Sequence, residues 1–474
     1  MRHIPMRTVD SRDVQLPTQA VDGLAGSLRG RVVTPDAPDY DDIRTIWNAM
    51  VDRRPGMIVR CLGTADVLHA VRFARAHRLL ISVRGGGHNI AGAALCDGGM
   101  VIDLSPMRSV HVDPAARTVT AAGGATLADL DRETQAFGLA VPMGINSTTG
   151  VAGLTLGAGF GWLSRKHGLS IDNLAAAEVV TADGQAVRAS PTENSDLFWA
   201  IRGGSGNFGV VTYFTFHCHP LGPEIYAGVI VHRADQAGAL LRRYREVAAR
   251  MADDLTCWVI LRKAPPLPFL RPEIHGREVV VLPVFFAGDA SAGAQAIAEI
   301  RSLGTPVGEA VGPMPYVAWQ SMFDPLLAPG ARNYWKTNNL TVLDDGLLEC
   351  LVTQLGKLPT PHCELFLGQL GGAVGRLPPD ATAYPHRDAN FVLNVHARWL
   401  DASEDAACIT WAREVFEATS RYATGGSYVN FMTADEQRSH AAYGTNYDRL
   451  AALKSRFDPE NMFRGNQTIP PPSP

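Results

Sequence analysis

The chain has 474 residues, 46% of them hydrophobic and 19% charged, with a formal net charge of -4 at pH 7. That length calls for two or three domains. The weak acidity, with no Lys/Arg block and no basic helix interleaved with aromatics, excludes nucleic acid and anionic membrane as expected partners. No apolar run reaches the ~18 residues needed to span a bilayer. The seven cysteines (61, 96, 218, 257, 350, 363 and 408) are odd in number and lack a C-x-x-C pair. That pattern suits buried thiols in a reducing compartment, so a cytoplasmic protein is expected.

Residues 1–34 hold no apolar signal core and read as a loose tail and lead-in. Residues 35–220 read as short strands, helices and many glycine turns. "DVLHAVRFARAHRLL" (66–80) has helical spacing and feeds a strand. "MVIDLSPM" is a strand, and "SVHVDPAARTVTAAGG" is a hairpin turning near Asp113-Pro114. "TLADLDRETQAFG" is a helix opened by a Thr126/Asp129 capping box and ended by Gly138. "AEVVTADGQAVRAS" is a hairpin with Asp183-Gly184 at its turn. Strands and helices do not alternate regularly, which predicts an α+β fold instead of a doubly wound sheet. Residues 221–420 change texture. The long strand candidates "IYAGVIVH", "LTCWVILRK", "EVVVLPVFF", "CELFLGQLGG" and "NFVLNVHARWL" are separated by helical stretches near 235–252, 290–302 and 404–421. This predicts a separate domain, an antiparallel sheet with helices on one face. Residues 421–474 return to loops, with a strand "SYVNFM" and a helix around 446–456.

Three glycine-dense loops fall in the first half: "RGGGHN" (84–89), "GVAGLTLGAGFGW" (150–162) and "RGGSGNFGVV" (202–211). Such loops let backbone N–H groups approach a ligand closely, a general solution for phosphate. The formal G-x-G-x-x-G in "GSGNFG" follows a helix and precedes a strand, the reverse of the dinucleotide fingerprint, so the Rossmann reading fails. Three loops of this kind within 130 residues point to one large phosphate-bearing ligand. "HCH" (217–219) has no further ligand cluster near it, and no metal site is expected.

"VRGGGHNIAG", "GVAGLTLGAGFGWLSRKHGLSIDNL", "DLFWAIRGGSGNFGVVT", "YVNF" and "YDRLAALKSRFDPENMFRGNQTI", in that order, resemble the berberine-bridge-enzyme-like FAD-linked oxidases. These carry an FAD domain of the p-cresol methylhydroxylase/vanillyl-alcohol oxidase (PCMH) type. "DYDDIRTIWNAMVDRRPGMIVRC" and "RDAN…AREVF…SYVNFMTADE" resemble bacterial members, including the flavin-dependent oxygenase of enterocin polyketide biosynthesis. The resemblance implies an FAD-binding domain of two α+β subdomains at 35–220, a substrate domain at 221–420 and a C-terminal return at 421–474. It further implies that His88 bonds covalently to the flavin 8α-methyl carbon, with Arg84, Gly85, Gly86, Gly87 and Asn89 beside it. Thr148, Thr149, Gly150, Gly153, Gly157 and Gly161 would border the cofactor. Val211 would lie near the adenine and Asn466 near the isoalloxazine. One departure follows from the same alignment. Relatives with a second, cysteinyl link have that cysteine where this chain has Asn146, and a histidine where it has Leu154. A single bond through His88 is therefore expected.

Candidate acid–base groups are Tyr428 and Asn430 in "YVNF", expected two apart on one strand face, and Glu364 and Gln369 in "CELFLGQLGG". Tyr334 and Lys336 in "RNYWKTNN" are a third pair, in which the lysine would lower the phenol pKa. "QSMFDPLLAPG" and "RKAPPLPFLRP" suggest a stiff apolar entrance. The expected activity is oxidation of an alcohol, amine or activated C–H carbon of a small organic substrate with O2, by a monomer or homodimer. Alternatives are an oxygenase acting on a polyketide-like substrate, a drug-sequestering flavoprotein, and a dehydrogenase that passes electrons to a carrier.

Overall fold

The computed structural model describes residues 3–436, 438–465 and 467–472. The architecture is α+β, built on three main sheets. In the first, Met57–Arg60 and Ile81–Arg84 flank Met100–Asp103 in parallel, and Arg31–Val33 adds an antiparallel edge. The helix Thr64–Ala76 lies between the first two of these strands and buries Val67, Ala70, Val71 and Ala74. The second sheet is antiparallel, ordered Ala186–Ala189, Leu174–Val180, Val210–His217, Thr118–Ala122, Val110–Asp113. The helix Leu127–Gln135 packs beneath it. Its predicted Thr126/Asp129 capping box is present, and Gly138 sits at φ +65°.

The third sheet spans Glu224 to Trp399. Its order is Gly308–Pro315, Glu224–Arg233, Glu278–Phe286, Val259–Lys263, Glu364–Gln369, Phe391–Trp399, Arg332–Leu340, with Leu255–Cys257 beside Glu278–Phe286. Alternation along its strands separates two faces. Leu261, Leu365, Leu393, Val395 and Tyr334 point to the helices Ala237–Ala248, Asp345–Leu355 and Asp405–Ser420. Trp258, Ile260, Phe366 and Val392 point the other way, into a cluster shared with Phe160, Trp162 and Tyr428. The site forms against this second face.

Two expectations are corrected. The N-terminus is not a loose tail. His3–Arg7 and Asp13–Pro17 form a hairpin, the helix Thr18–Ser27 follows, and Met6, Leu16, Val21 and Leu24 join a core with Met57, Met100 and Phe463. These few apolar side chains have no periodic run of their own and are ordered by the sheet they cover. "SYVNFM" is not a strand either. Val429–Phe431 is a single 3-10 turn.

The C-terminal return is anchored by a buried ion pair in the helix Tyr447–Phe457. Lys454 Nζ lies 2.6 Å from Asp458 Oδ2 and donates to Asn207 O at 2.7 Å, and both side chains are 0% exposed. Asp458 also accepts the N–H groups of Met462 and Phe463. Asp458→Ala leaves a buried ammonium unpaired and is expected to cost ~3–5 kcal/mol. A fall in the urea midpoint, only partly recovered by Lys454→Met/Asp458→Leu because the Met462 and Phe463 N–H groups stay unpaired, checks this.

Asp131, on the helix Leu127–Gln135, is a second buried carboxyl. Burial raises its pKa to about 7 against a hydrogen bond from Gln320. Because the folded pKa is the higher one, the folded state is penalised as pH rises from ~4 to ~7, and the penalty is full above that window. Asp131→Asn should therefore stabilise by on the order of 2–4 kcal/mol at pH 8, with the gain shrinking toward pH 4. Thermal denaturation of the purified protein across that range reads it.

Candidate active site

A cleft of about 1800 Å3, its open mouth included, runs between the glycine loops and the inner face of the large sheet. One wall is almost free of side chains: Gly85, Gly86, Gly87, Gly150, Gly153, Gly206, Gly209 and Gly465 all border it. At Gly86 the reason is steric. A Cβ on Gly86 would meet Gly150 N at 2.5 Å, so these two loops touch backbone to backbone. Gly153 also borders the cleft, and a Cβ there would meet no atom outside its own helix within 4 Å. This wall suits a long, phosphate-bearing cofactor such as FAD, held by main chain at close approach. Val211, Thr149 and Asn89 also line it.

The opposite wall is aromatic: Trp47, Phe160, Trp258, Trp335, Phe366, Tyr428 and Phe431. Across this wall runs a row of polar residues that strand register aligns: Arg262 opposite Glu364, Glu364 opposite His396, His396 opposite Trp335. Arg262 Nη1 donates to Glu364 Oε2 at 2.8 Å, and His396 Nδ1 lies 3.1 Å from Oε1. Burial alone would raise the Glu364 carboxyl. The Arg262 guanidinium, His396 and Arg398 outweigh it and hold its pKa at about 2. Burial lowers the His396 pKa. The result is a permanent carboxylate in an apolar cleft.

His88 stands where the two walls meet. Its ring stacks on Trp47, with centroids 5.2 Å apart, and its Nε2 is 2.9 Å from Thr148 Oγ1. Burial lowers its pKa to about 4, so the imidazole is neutral. Trp47 makes an edge contact with Trp335 and donates to Leu327 O at 2.7 Å. Tyr428 lies deeper. Its hydroxyl oxygen accepts from Gly159 N–H at 3.2 Å and from Asn430 Nδ2 at 3.0 Å, and burial pushes its pKa up to about 12. It is a phenol at neutral pH.

The other candidate residues lie elsewhere. Gln369 is five residues from Glu364 and so faces the helices, where it bonds Ala248 O and Cys257 N–H. Tyr334 and Lys336 share a face, but it is the helix face, and Trp335 between them takes the cleft. Tyr334 donates to Asp435 at 2.7 Å. Lys336 lowers its phenol pKa as expected, and Arg413 does too, but burial and that carboxylate outweigh them and the net shift is upward. Arg84 turns from the cleft toward Ile43 O and Asp103. Gly157 and Gly161 do not border the cleft. They clear space for the Asn430 side chain and for Met143 O. Thr148 reaches the site only through His88. Of the expected entrance segments, Leu327 alone among the described residues lines the cleft. Asn466 lies outside the described residues.

Trp47, Arg262, Asn394 and His396 escaped the sequence reading as site residues. Polar residues two apart in the buried strand "NFVLNVHARWL" were a usable signal for the last two. Nothing local distinguishes Trp47.

Comparisons with known proteins place the chain in a family. A model described as an FAD binding domain matches residues 55–190, and one described as berberine and berberine like matches residues 427–470. The chain is 32% identical over 459 residues to (R)-6-hydroxynicotine oxidase of Paenarthrobacter nicotinovorans, covering 94% of this chain and 97% of that one. It is 32% identical over 460 residues to an FAD-linked oxidoreductase of Dictyostelium discoideum, covering 96% and 97%. The crystal structure of 6-hydroxy-D-nicotine oxidase from Arthrobacter nicotinovorans superposes with a TM-score of 0.83 at 31% identity, covering 94% and 99%. A glycine-walled cleft in this fold, with these relatives, defines an FAD-dependent oxidoreductase. The chain belongs to the berberine-bridge-enzyme-like family of FAD-linked oxidoreductases, with a PCMH-type FAD domain. Among the described residues no helix is long and apolar enough to cross a membrane.

Proposed function

We propose that the chain is an oxidase that carries FAD covalently through His88 and oxidises an alcohol, amine or activated C–H carbon of a small aromatic substrate, with O2 as acceptor. The observation that carries this reading is the permanently ionised Glu364, set among aromatic rings and sharing one cleft with His88. When bound, FAD supplies the two-electron chemistry. The protein's part is to orient the substrate and complement its charge. The aromatic rings take a flat molecule and exclude water. Glu364 accepts a hydrogen bond from the substrate O–H or N–H, and its charge stabilises the cationic carbon that hydride departure leaves. With a pKa near 2, its role is electrostatic more than basic. His396, hydrogen-bonded to the carboxylate, steers it. A relative named for oxidising a hydroxynicotine supports an aromatic nitrogenous substrate over a sugar.

The test is anaerobic mixing of the holoenzyme with a panel of aromatic alcohols, cyclic amines and sugars, followed by admission of air. Flavin bleaching by an aromatic member, with one peroxide per product, supports the reading. Labelled oxygen found in the product would make it an oxygenase. Tight binding of a drug without bleaching by any member would make it a sequestering protein.

A further inference from the structure

The turn that follows Ile145 contains an unused proton inventory. Asn146 and Thr149 close a turn through a 3.1 Å bond from Thr149 N–H to Asn146 O. Within it, Asn146 Oδ1 accepts the Thr148 N–H at 3.0 Å, and that amide donor identifies the facing atom as the side-chain oxygen. Thr148 Oγ1 lies 2.6 Å from the same oxygen. An amide oxygen cannot donate, so the Thr148 hydroxyl spends its single proton there. Toward His88 Nε2, 2.9 Å away, the hydroxyl can then offer only lone pairs. A close contact between two lone pairs is repulsive, so Nε2 must carry hydrogen. A neutral imidazole protonated on Nε2 has its free lone pair on Nδ1.

The surroundings keep this arrangement from slipping. Asp324 accepts the Ser147 N–H at 2.9 Å and also the Ser147 hydroxyl, which pins the turn from the substrate side of the cleft. Trp47 stacks on the His88 ring within 20° of parallel and restrains its rotation. The depressed pKa of His88 removes the doubly protonated form that would erase the distinction between the two nitrogens.

We propose that Asn146 and Thr148 are positioning residues for flavin attachment: they hold the His88 proton on Nε2 and so present the Nδ1 lone pair as the nucleophile. This rests on the covalent reading above. In the attachment, one C–H bond of the flavin 8α-methyl group is exchanged for a bond from that carbon to Nδ1. The methyl proton and the Nε2 proton are released. The electron pair of the broken C–H bond passes through the ring to O2, which takes up the two protons as hydrogen peroxide. Asn146 thus stands in the place of a second covalent anchor and instead directs the first.

The experiment compares wild type, Thr148→Val, Thr148→Ser, Asn146→Ala and Asn146→Asp as purified full-length holoenzymes. The covalent flavin fraction is read after acid precipitation, and the linked nitrogen by NMR of the isolated flavin peptide. Nitrogen-15 histidine NMR reads the His88 tautomer in any chain whose flavin is not attached. Absorbance of native-bound FAD and the thermal midpoint control for folding. Wild type should be linked through Nδ1. Thr148→Val and Asn146→Ala should slow attachment about five- to tenfold, the weight of one neutral hydrogen bond, with FAD still bound. The serine and aspartate variants, which keep the acceptor chain, should recover it. Unchanged attachment in Thr148→Val, or linkage through Nε2 in wild type, overturns the proposal. If wild type releases its FAD on denaturing, the covalent reading fails separately. The tautomer then decides: an Nε2–H signal present in wild type and lost in Thr148→Val supports the relay, and one unchanged in Thr148→Val overturns it.

Discussion

Glu364→Gln is expected to slow anaerobic flavin reduction by ~10²–10³-fold, the usual weight of one preorganised electrostatic group in a water-poor site. Glutamine keeps the shape and an acceptor oxygen but not the charge that would face the carbon losing hydride. The substitution also strands the Arg262 guanidinium, which now bonds Glu364 at 2.8 Å with both side chains about one-tenth exposed. A stability loss of ~3–5 kcal/mol should accompany the rate loss. The two effects separate in Arg262→Met/Glu364→Gln, which should regain stability and not rate, read by thermal denaturation beside stopped-flow absorbance. The pH profile adds a check. The folded pKa of Glu364 is depressed, so its contribution to stability is full above the ordinary carboxylate range and lost only as pH falls toward 2. Wild-type reduction should show no Glu364 titration near neutrality. In Arg262→Met the largest opposing charge is gone, burial dominates, and a new ionisation should enter the profile from the acid side.

His88→Ala is expected to abolish covalent flavin completely. Viewed under ultraviolet light, a denaturing gel should show a fluorescent wild-type band and a dark mutant band, and the mutant's FAD should pass through a filter after acid treatment. The effect is expected to be all-or-none because, among the described residues, no thiol borders the cleft to take over. The seven cysteines are free thiols, and none lines the cleft among the described residues. At the position where a cysteine would serve, Asn146 has its oxygen committed to Thr148. Native His88→Ala should still hold FAD, since the glycine wall and the contact between Gly86 and Gly150 do not depend on the imidazole. A mutant band as bright as wild type would sink the single-link reading.

The α+β class and the run of strands and helices through residues 35–220 were legible because they rest on local periodicity and turn chemistry. The Thr126/Asp129 capping box and the hairpin turning at Gly184 are stated by residues within a few positions of one another. The glycine wall was legible for a related reason. A loop without side chains is a local property, and three of them imply one large ligand wherever they meet. Three glycine loops and a histidine in family order also sufficed to name the cofactor.

The tertiary structure alone decided which polar side chains face the cleft. Glu364 and Gln369 read alike in the sequence, yet an odd separation on a strand puts them on opposite faces, and only the packing of helices against one face says which is which. The same parity turned Tyr334 and Lys336 to the helices and Trp335 to the cleft. The charge of Glu364 depends on Arg262, about 100 residues earlier in the chain, and His396, about 30 later. Both become neighbours only through antiparallel register. Trp47 reaches His88 across two loops, and the Asn146–Thr148–His88 relay closes over 60 residues of sequence. Backbone conformation is specified by neighbours along the chain. Ionisation, tautomer and the facing of a side chain are specified by neighbours in space, and these exist only once the sheets have packed.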